Sequence, residues 1–361
     1  MTGGVADQRA ALAELWRWFG ATQCRGYSPI YERIAAAVAQ DEEVLGLIAA
    51  APPSAHMPPA LFAAVHDVLL AGVEHPLADV YAGRSAADPA PLFLELCRSH
   101  RDDVAARLAT RHIQTNECGR SAVIGPGLTW LAARLGEPLA LVDVGASAGL
   151  NLLCDRYRLD YPRHGSTGPA SSPVRIRCEV IGGDPPIAPH LPALAARVGI
   201  DRSPVRLDDP EDARWLLACV WPDTGRLERT AAAIRLAQED PPTVVAGDAN
   251  DTLPGVLATL PAGAVPVVVT TWAFAYLQAE DRARFAATLL RESAHRPLAW
   301  LSAEGRGTVE LLDNADAPPM PASEAPVPDL LGAVVFEGGR HHADVLGFVH
   351  PHGSWLTWCG P

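Results

Sequence analysis

The chain has 361 residues, of which 48% are hydrophobic and 20% are charged, which suits one large domain or two of ordinary size and excludes a disordered chain. Its formal net charge is −13 and it has no run of Lys or Arg, so we expect no nucleic-acid partner. No apolar stretch predicts a membrane span and the N-terminus does not resemble a signal peptide. Seven scattered cysteines without C-x-x-C favour a reducing compartment, and we expect a cytoplasmic protein with no membrane partner.

Residues 1–137 predict helices and no strand. The stretch "ADQRAALAELWRWFGAT" has apolar residues at helical spacing. In "YSPIYERIAAAVAQ", Ser28 is the expected N-cap and Pro29 the first helical residue. We therefore expect an all-helical N-terminal domain, which would act as a lid over the substrate end of a crevice in the rest of the chain.

From residue 138 to residue 361, short apolar runs alternate with helical segments near 148–157, 209–221, 224–238, 250–259 and 278–294. The runs are "LALVDVG", "VGID", "PTVVAGD", "VPVVVTTWAF" and "RPLAWLSAEG". Such alternation predicts an α/β domain with a parallel sheet covered on both faces. The C-terminal stretch from "GAVVFEGGRHH" predicts an antiparallel hairpin. Residues 158–197 look like an insertion, and the proline-rich residues 307–331 predict a long loop.

The stretch "LVDVGASAGLN" at 141–151 has two interpretations. As G-x-S-x-G it is the nucleophile elbow of a serine hydrolase, with Ser147 as nucleophile and His341, His342, His350 and His352 as candidate bases. As an acidic residue followed by a glycine turn, it is the loop by which Rossmann-like folds hold a nucleotide-type cofactor. The helical upstream region and the lack of a His-Gly-Gly motif favour the cofactor loop, and the glycines do not fit the G-x-G-x-x-G of dehydrogenases.

Later strand ends carry the further groups that a cofactor loop needs. Asp143 precedes the turn glycines Gly145 and Gly149, and Asp201 in "VGIDRSP" is placed to accept the hydroxyls of a ribose, with Glu179 as a rival. Asp248 in "VVAGDAND" is placed to accept an adenine amino group, although it would equally cap the next helix. The strand "VVVTTWAFAYL" then ends where a substrate should lie.

This ordered set resembles the class I S-adenosylmethionine-dependent methyltransferases over residues 138–358. "GASAG" is similar to their motif I with Ser147 in place of the middle glycine, and "VVVTTWAFAYL" is similar to motif IV without its D/N-P-P-Y signature. With "CRGYSPIYERIA", "QTNECGR" and "ACVWPD", the whole chain also resembles the bacterial family called domain of unknown function 2332. The first resemblance implies a Rossmann-like methyltransferase fold, S-adenosylmethionine as cofactor and methyl transfer, here to a small molecule.

The expected site residues follow from these motifs and from two polar clusters in the helical part. The expected cofactor-binding residues are Asp143, Gly145, Ala146, Ser147, Gly149, Asn151, Asp201, Asp248, Ala249 and Trp272. Glu117 and Tyr276 are the catalytic candidates, and Tyr27, Tyr31, Asn116 and Arg120 are the substrate-binding candidates. Helix capping by Asn116 and packing by the two tyrosines are the structural alternatives.

Two further alternatives concern the chemistry. The missing motif IV signature keeps open an enzyme that uses the aminocarboxypropyl arm of the cofactor, a cyclase or a lyase, and a protein that only binds the cofactor. His350 and His352 form H-x-H, which would place both on one face of a strand. No third ligand is evident, so we expect no metal site.

Overall fold

The computed structural model describes residues 2–313 and 327–360. These residues contain thirteen α-helices, numbered α1 to α13: Thr2–Phe19, Pro29–Val38, Glu42–Ala49, Pro58–Leu70, Pro76–Tyr81, Pro89–Ser99, Arg101–Thr110, Ser121–Leu135, Pro210–Ala218, Leu227–Glu239, Ala249–Thr259, Ala279–Glu292 and Glu310–Asp313. They also contain twelve strands, numbered β1 to β12: Leu139–Val144, Arg158–Tyr161, Gly165–Thr167, Arg175–Arg177, Glu179–Gly182, Leu194–Asp201, Thr243–Ala246, Val265–Thr271, Leu298–Glu304, Asp329–Glu337, Arg340–Val349 and Trp355–Thr357. None of the helices in these ranges has the length and apolar character to cross a membrane.

The chain forms two compact units. Unit 1 comprises Met1–Thr115 with Asp208–Ala231, and unit 2 comprises Asn116–Leu207 with Ala232–Pro361. The sequence predicted a single boundary at residue 137. The observed division differs in two places: α8 belongs to the unit with the sheet, and Asp208–Ala231, which contains α9, belongs to the unit with the N-terminal helices. The lid role concerns the arrangement of the two units and stays a prediction.

Unit 1 is helical: α1 to α7 surround an apolar core, and α9 belongs to the same unit. Ser28 caps α2 as expected: its hydroxyl accepts the Tyr31 N–H at 3.2 Å, and Pro29 fills the first helical position. Asp67 is a buried acidic residue of α4 whose two carboxylate oxygens accept from Arg107 at 2.7 Å and Arg214 at 2.9 Å. Because Arg214 lies on α9, this ion pair ties the later segment to the N-terminal helices.

Unit 2 is built on a nine-stranded, mostly parallel sheet with the strand order β5-β12-β11-β10-β9-β8-β1-β6-β7. All five apolar runs predicted as strands form neighbouring parallel strands, β1, β6, β7, β8 and β9. The central strands β1, β8 and β9 are buried almost throughout, whereas β6 and β7 are largely half-buried. The C-terminal strands β10, β11 and β12 pair antiparallel, as expected. The predicted mixed α/β class is therefore confirmed.

Some local predictions in unit 2 need correction. The helical segment expected near 148–157 is a short 3-10 helix, Leu150–Arg156. Residues 158–197 supply a separate three-stranded sheet, β3-β2-β4, and also the edge strand β5 of the main sheet. Strand β6 begins at Leu194, inside the expected insertion, and is longer than the run "VGID". Of the loop expected over 307–331, residues 314–326 lie outside the described residues.

Candidate functional site

The sheet of unit 2 has a topological switch point between β1 and β8. From β1 the chain continues through β6 and β7 on one side, and later through β8 and β9 on the other. Open α/β sheets bind ligands at such a point, in the crevice beyond the carboxyl ends of the strands. Two strained residues stand there, because Ser147 after β1 has φ 53° and Trp272 after β8 has φ 57°. Strain of this kind in non-glycine residues is typical of functional sites.

The loop after β1 requires its two glycines because of its own packing. Gly145 has φ 80°, and a Cβ there would collide with the Cβ of Ala273. Gly149 has φ 75°, and a Cβ there would lie 2.7 Å from Cγ of Pro242. Both positions were expected to be glycine so that the backbone could approach a ligand. The structure shows a second reason, close packing against neighbouring segments of unit 2, and the approach of a ligand stays a prediction.

Asp201 holds this loop in shape. Its Oδ2 accepts the Ser147 N–H and its Oδ1 accepts the Ser203 N–H, each at 2.8 Å, and the preceding carbonyl of Ile200 accepts from Gly145 and Ala146. A carboxylate has about four lone-pair sites, so Asp201 retains capacity for a hydroxyl. Its rival Glu179 lies on β5 at the far edge of the sheet, paired with Arg177, and is separated from the loop.

The Ser147 hydroxyl is buried and has no hydrogen-bond partner among the residues that the structure describes. No histidine of those residues therefore serves it as a base. His341 and His342 lie near the start of β9, at the opposite end of the strands from the loop. This is not the arrangement of a serine nucleophile and its base.

Two asparagines expected to bind ligands hold the 3-10 helix after the loop. Oδ1 of Asn116 accepts the Leu150 N–H at 3.0 Å, and Oδ1 of Asn151 accepts from the Ser121 hydroxyl at 3.0 Å. Both asparagines are buried. Asn116 was expected, as an alternative, to cap the helix that leads into β1, but its side chain bonds instead to the first residue of the 3-10 helix.

Arg120 is buried at the carboxyl ends of the parallel strands, at Thr271, the last residue of β8. Its Nη1 donates to the Thr271 carbonyl at 2.9 Å and its Nε to the Pro351 carbonyl at 3.1 Å. Burial lowers the pKa of Arg120, and four nearby carboxylates oppose that change. These carboxylates are Glu117, Glu304, Asp329 and Asp143. The five side chains, called the Arg120 cluster below, contain four acids and one base.

Burial perturbs three acids of this cluster. It raises the pKa of Asp143 to about 7, with Arg120 opposing the rise and Asp201 adding to it. It also raises the pKa of Asp329 to about 7, against the hydrogen bond donated by Trp272 Nε1 and the charge of Arg120. The pKa of Glu304 is raised by burial too. Groups that titrate near neutrality in a buried site are candidates for proton transfer.

Glu304 is the best anchored acid of the cluster and also has unused bonding capacity. Its Oε1 accepts the N–H groups of Ala273 at 3.0 Å and Phe274 at 2.9 Å, which fixes the turn directly after Trp272. Its Oε2 is buried and has no hydrogen-bond partner among the described residues. Glu117 is bound through Oε1 to the Gly119 N–H at 2.8 Å, and His352 approaches its other oxygen at 3.9 Å.

The remaining expected residues of unit 2 have more ordinary surroundings. Asp248 caps α11 by accepting the Asn250 N–H at 2.9 Å, and its hydrogen bond from Arg202 lowers its pKa. Ala249 is the first residue of that helix. Tyr276 is 79% exposed, whereas Trp272 is 44% exposed.

The two tyrosines expected at a substrate site belong to unit 1. Tyr31 is fully buried, and its ring stacks on Phe62 with the ring centroids 3.9 Å apart. The Tyr27 ring lies 5.6 Å from that of Trp221, below the guanidinium of Arg226. The packing alternative is the one observed for Tyr31, whose ring a ligand does not reach.

The H-x-H pair lies in the turn after β11, not on a strand, and the His352 N–H donates to Nδ1 of His350 at 3.0 Å. Within residues 2–313 and 327–360, no group of three or more His, Cys, Asp or Glu side chains is arranged to hold a metal ion.

Sequence reasoning missed Glu304 and Asp329. Glu304 ends the strand run "RPLAWLSAEG", so the rule that selected Asp201 and Asp248 applies to it equally. Asp329 follows the proline-rich segment and is the first residue of β10. It lies next to the end of β9 because β10 pairs antiparallel with that strand.

The fold and the site define an α/β protein with a candidate ligand site at the switch point of its sheet. A family model described as "uncharacterized protein conserved in bacteria (DUF2332)" matches residues 13–358, so the chain belongs to this bacterial family. Comparison with curated proteins gave no match, and comparison with solved structures gave none either.

Proposed function

We propose that this protein binds S-adenosylmethionine at the switch point and transfers the methyl group to a small molecule. The observation that carries the proposal is the excess of buried acid there, four carboxylates against the single guanidinium of Arg120. Such an excess favours a ligand with positive charge. S-adenosylmethionine has two cationic groups, a sulfonium and an ammonium, against a single carboxylate, so its net charge is positive, and it supplies an activated methyl group when bound.

The residues present fit this cofactor in three respects. Asp201 retains lone pairs for a ribose on the strand next to the loop, where the resemblance to methyltransferases expects them. Ser147 has a buried hydroxyl without a partner among the described residues, which a polar group of the ligand would satisfy. Asp143 supplies a buried carboxylate next to the loop, which suits a cation.

The chain's own groups would bind, orient and move a proton. The anchored side chains of the Arg120 cluster make a site that is fixed before ligands arrive, and this lowers the entropic cost of aligning two reactants. Asp143 and Asp329 have pKa values raised to about 7, so either can take a proton from an acceptor near neutral pH. Glu117 was the expected base, and Asp143 and Asp329 are two further candidates near the same Arg120 guanidinium. Tyr276 is too exposed to act in a site that excludes water.

The test is an incubation of the full chain with methyl-labelled S-adenosylmethionine, alone and with a bacterial metabolite extract. We expect label in a small-molecule product only when the extract is present. Release of methylthioadenosine from the cofactor alone would replace the proposal with chemistry of the aminocarboxypropyl arm. Recovery of intact cofactor in both incubations would leave a protein that only binds it, and would contradict methyl transfer.

Replacing Ser147 with alanine should have opposite effects on the ligand-free protein and on binding. Removing a buried hydroxyl without a partner should leave the free energy of unfolding unchanged or raise it by up to about 1 kcal/mol. Affinity for S-adenosylmethionine should fall by about 1 kcal/mol, the size of one hydrogen bond. Thermal unfolding and calorimetric titration measure the two effects. A fluorophosphonate probe should not label wild-type Ser147, and stoichiometric labelling would instead establish a serine hydrolase.

A further inference from the structure

Three side chains lie on the β8–β9–β10 side of the switch point, away from the β1–β6 side that carries the loop and Asp201. Trp272 follows β8, Glu304 ends β9 and Asp329 begins β10. Leu330 pairs with Glu304, so the ends of β9 and β10 are adjacent. With the proposed cofactor on the β1–β6 side of the switch point, this side would be available for the second substrate.

These three side chains are connected and shaped as a binding surface. Trp272 Nε1 donates to Oδ2 of Asp329, so the indole is held while its ring stays 44% exposed. Glu304 fixes the turn after Trp272 through the N–H groups of Ala273 and Phe274. The strained φ of 57° at Trp272 is thus maintained by the hydrogen bond of its own side chain and by the two hydrogen bonds of the residues directly after it.

The surface contains a hydrogen-bond acceptor that a donor group of a ligand could reach. Oε2 of Glu304 is buried without a partner among the described residues, and Glu304 itself is 2% exposed. A buried carboxylate oxygen without a hydrogen bond costs free energy. A ligand N–H or O–H group that bonds to it therefore contributes more binding free energy than the same bond to a solvated carboxylate. Arg120 is the cation in electrostatic range of Glu304 and Asp329, and two of its N–H groups already donate to the carbonyls of Thr271 and Pro351.

We propose that this side of the switch point binds a primary or secondary alkylamine in its ammonium form. Asp329 and Glu304 accept its N–H groups. The guanidinium of Arg120 lies 6.0 Å from the Trp272 ring centroid, and the cation contacts the opposite face of that ring. An ammonium group has both the N–H donors and the positive charge that complement the two carboxylates.

The inference rests on the proposed function in that the amine would be the methyl acceptor, and it adds the chemical class of that acceptor. The bound ammonium would first give one proton to the Asp329 carboxylate. The freed lone pair on nitrogen would then form the bond to the methyl group while the bond between that methyl group and the sulfonium sulfur breaks, and S-adenosylhomocysteine would leave.

The test uses the full chain without cofactor, titrated calorimetrically with isopentylammonium chloride, with the matched alcohol isopentanol and with isopentanoate. We expect the amine to bind at least about tenfold more tightly than the alcohol, and the anion not to bind. Asp329→Asn should lose about tenfold or more of the amine affinity, the effect of one charged hydrogen bond. Trp272→Ala should also weaken amine binding, and Glu280→Gln, at an exposed position of α12, should leave it unchanged.

Equal affinities for the amine and the alcohol would overturn the inference, as would amine selectivity that persists in both Asp329→Asn and Trp272→Ala. Melting temperatures of the two variants show whether each one folds. A separate titration with S-adenosylmethionine distinguishes the two proposals. Amine binding without cofactor binding supports the amine site and removes the proposed function, whereas cofactor binding without amine binding overturns this inference alone.

Discussion

Replacing Asp143 with asparagine is expected to stabilise the ligand-free protein at pH 8 by about 2–4 kcal/mol. The cause is burial, which raises the pKa of this carboxyl to about 7 in the folded protein. In the unfolded chain the same carboxyl ionises near pH 4. Between those pH values the unfolded state has released the proton and the folded state has kept it. The free energy of unfolding therefore falls as the pH rises from about 4 to about 7, and asparagine removes that loss.

Urea unfolding of the wild type and Asp143→Asn at several pH values between 4 and 8 measures the effect. The two proteins should differ little near pH 4 and most near pH 8, because the difference comes from ionisation. Asp184→Asn, at an exposed position, provides the control and should not alter the pH dependence. An asparagine variant that is less stable than the wild type throughout this range would show that the Asp143 carboxylate is stabilised by its surroundings. The negative charge of Asp143 would then already be compensated within the protein, and it would not favour the binding of a cationic ligand.

The second large effect is expected at Gly145. An alanine there must adopt a φ of 80°, and its Cβ would collide with that of Ala273. Strain and overpacking together should lower the free energy of unfolding by about 2–5 kcal/mol. The loop after β1 would be displaced, so binding of S-adenosylmethionine should also be lost.

The matched control for this substitution is Gly255→Ala. Gly255 lies at an exposed position of α11, and a Cβ there would meet nothing within 4 Å. Because alanine is the better helix former, this variant should be more stable than the wild type by up to about 1 kcal/mol. Denaturant unfolding measures both variants. If the two alanines changed stability by the same amount, the close packing of the loop would be disproved.

Local features of the fold were predictable because local physics determines them. Ser28 and Pro29 start a helix through one side-chain hydrogen bond and one fixed dihedral angle. The runs of Val, Leu and Ile that form β1 and β8 are buried on both faces, and no polar alternation interrupts them. The positive φ values of Gly145 and Gly149 likewise follow from the glycine turn that the sequence displays.

Other features depend on contacts between distant parts of the chain. The join of α9 to the N-terminal helices includes the ion pair between Asp67 and Arg214, 147 residues apart, which no local pattern announces. Asp329 reaches the site only through the pairing of β10 with β9. For Asp248, the helix cap and the ligand site share one sequence pattern, a carboxylate after a strand and before a helix, and the structure shows the cap.

The central claim is that the switch point binds S-adenosylmethionine, and calorimetric titration of the full chain tests it most directly. S-adenosylmethionine and S-adenosylhomocysteine should each bind one site per chain and raise the melting temperature, since a ligand that binds only the folded state stabilises it. Ser147→Leu, which fills the buried position in the loop, should abolish both signals while the variant stays folded. Absence of binding heat and of any melting shift with both ligands would contradict the account.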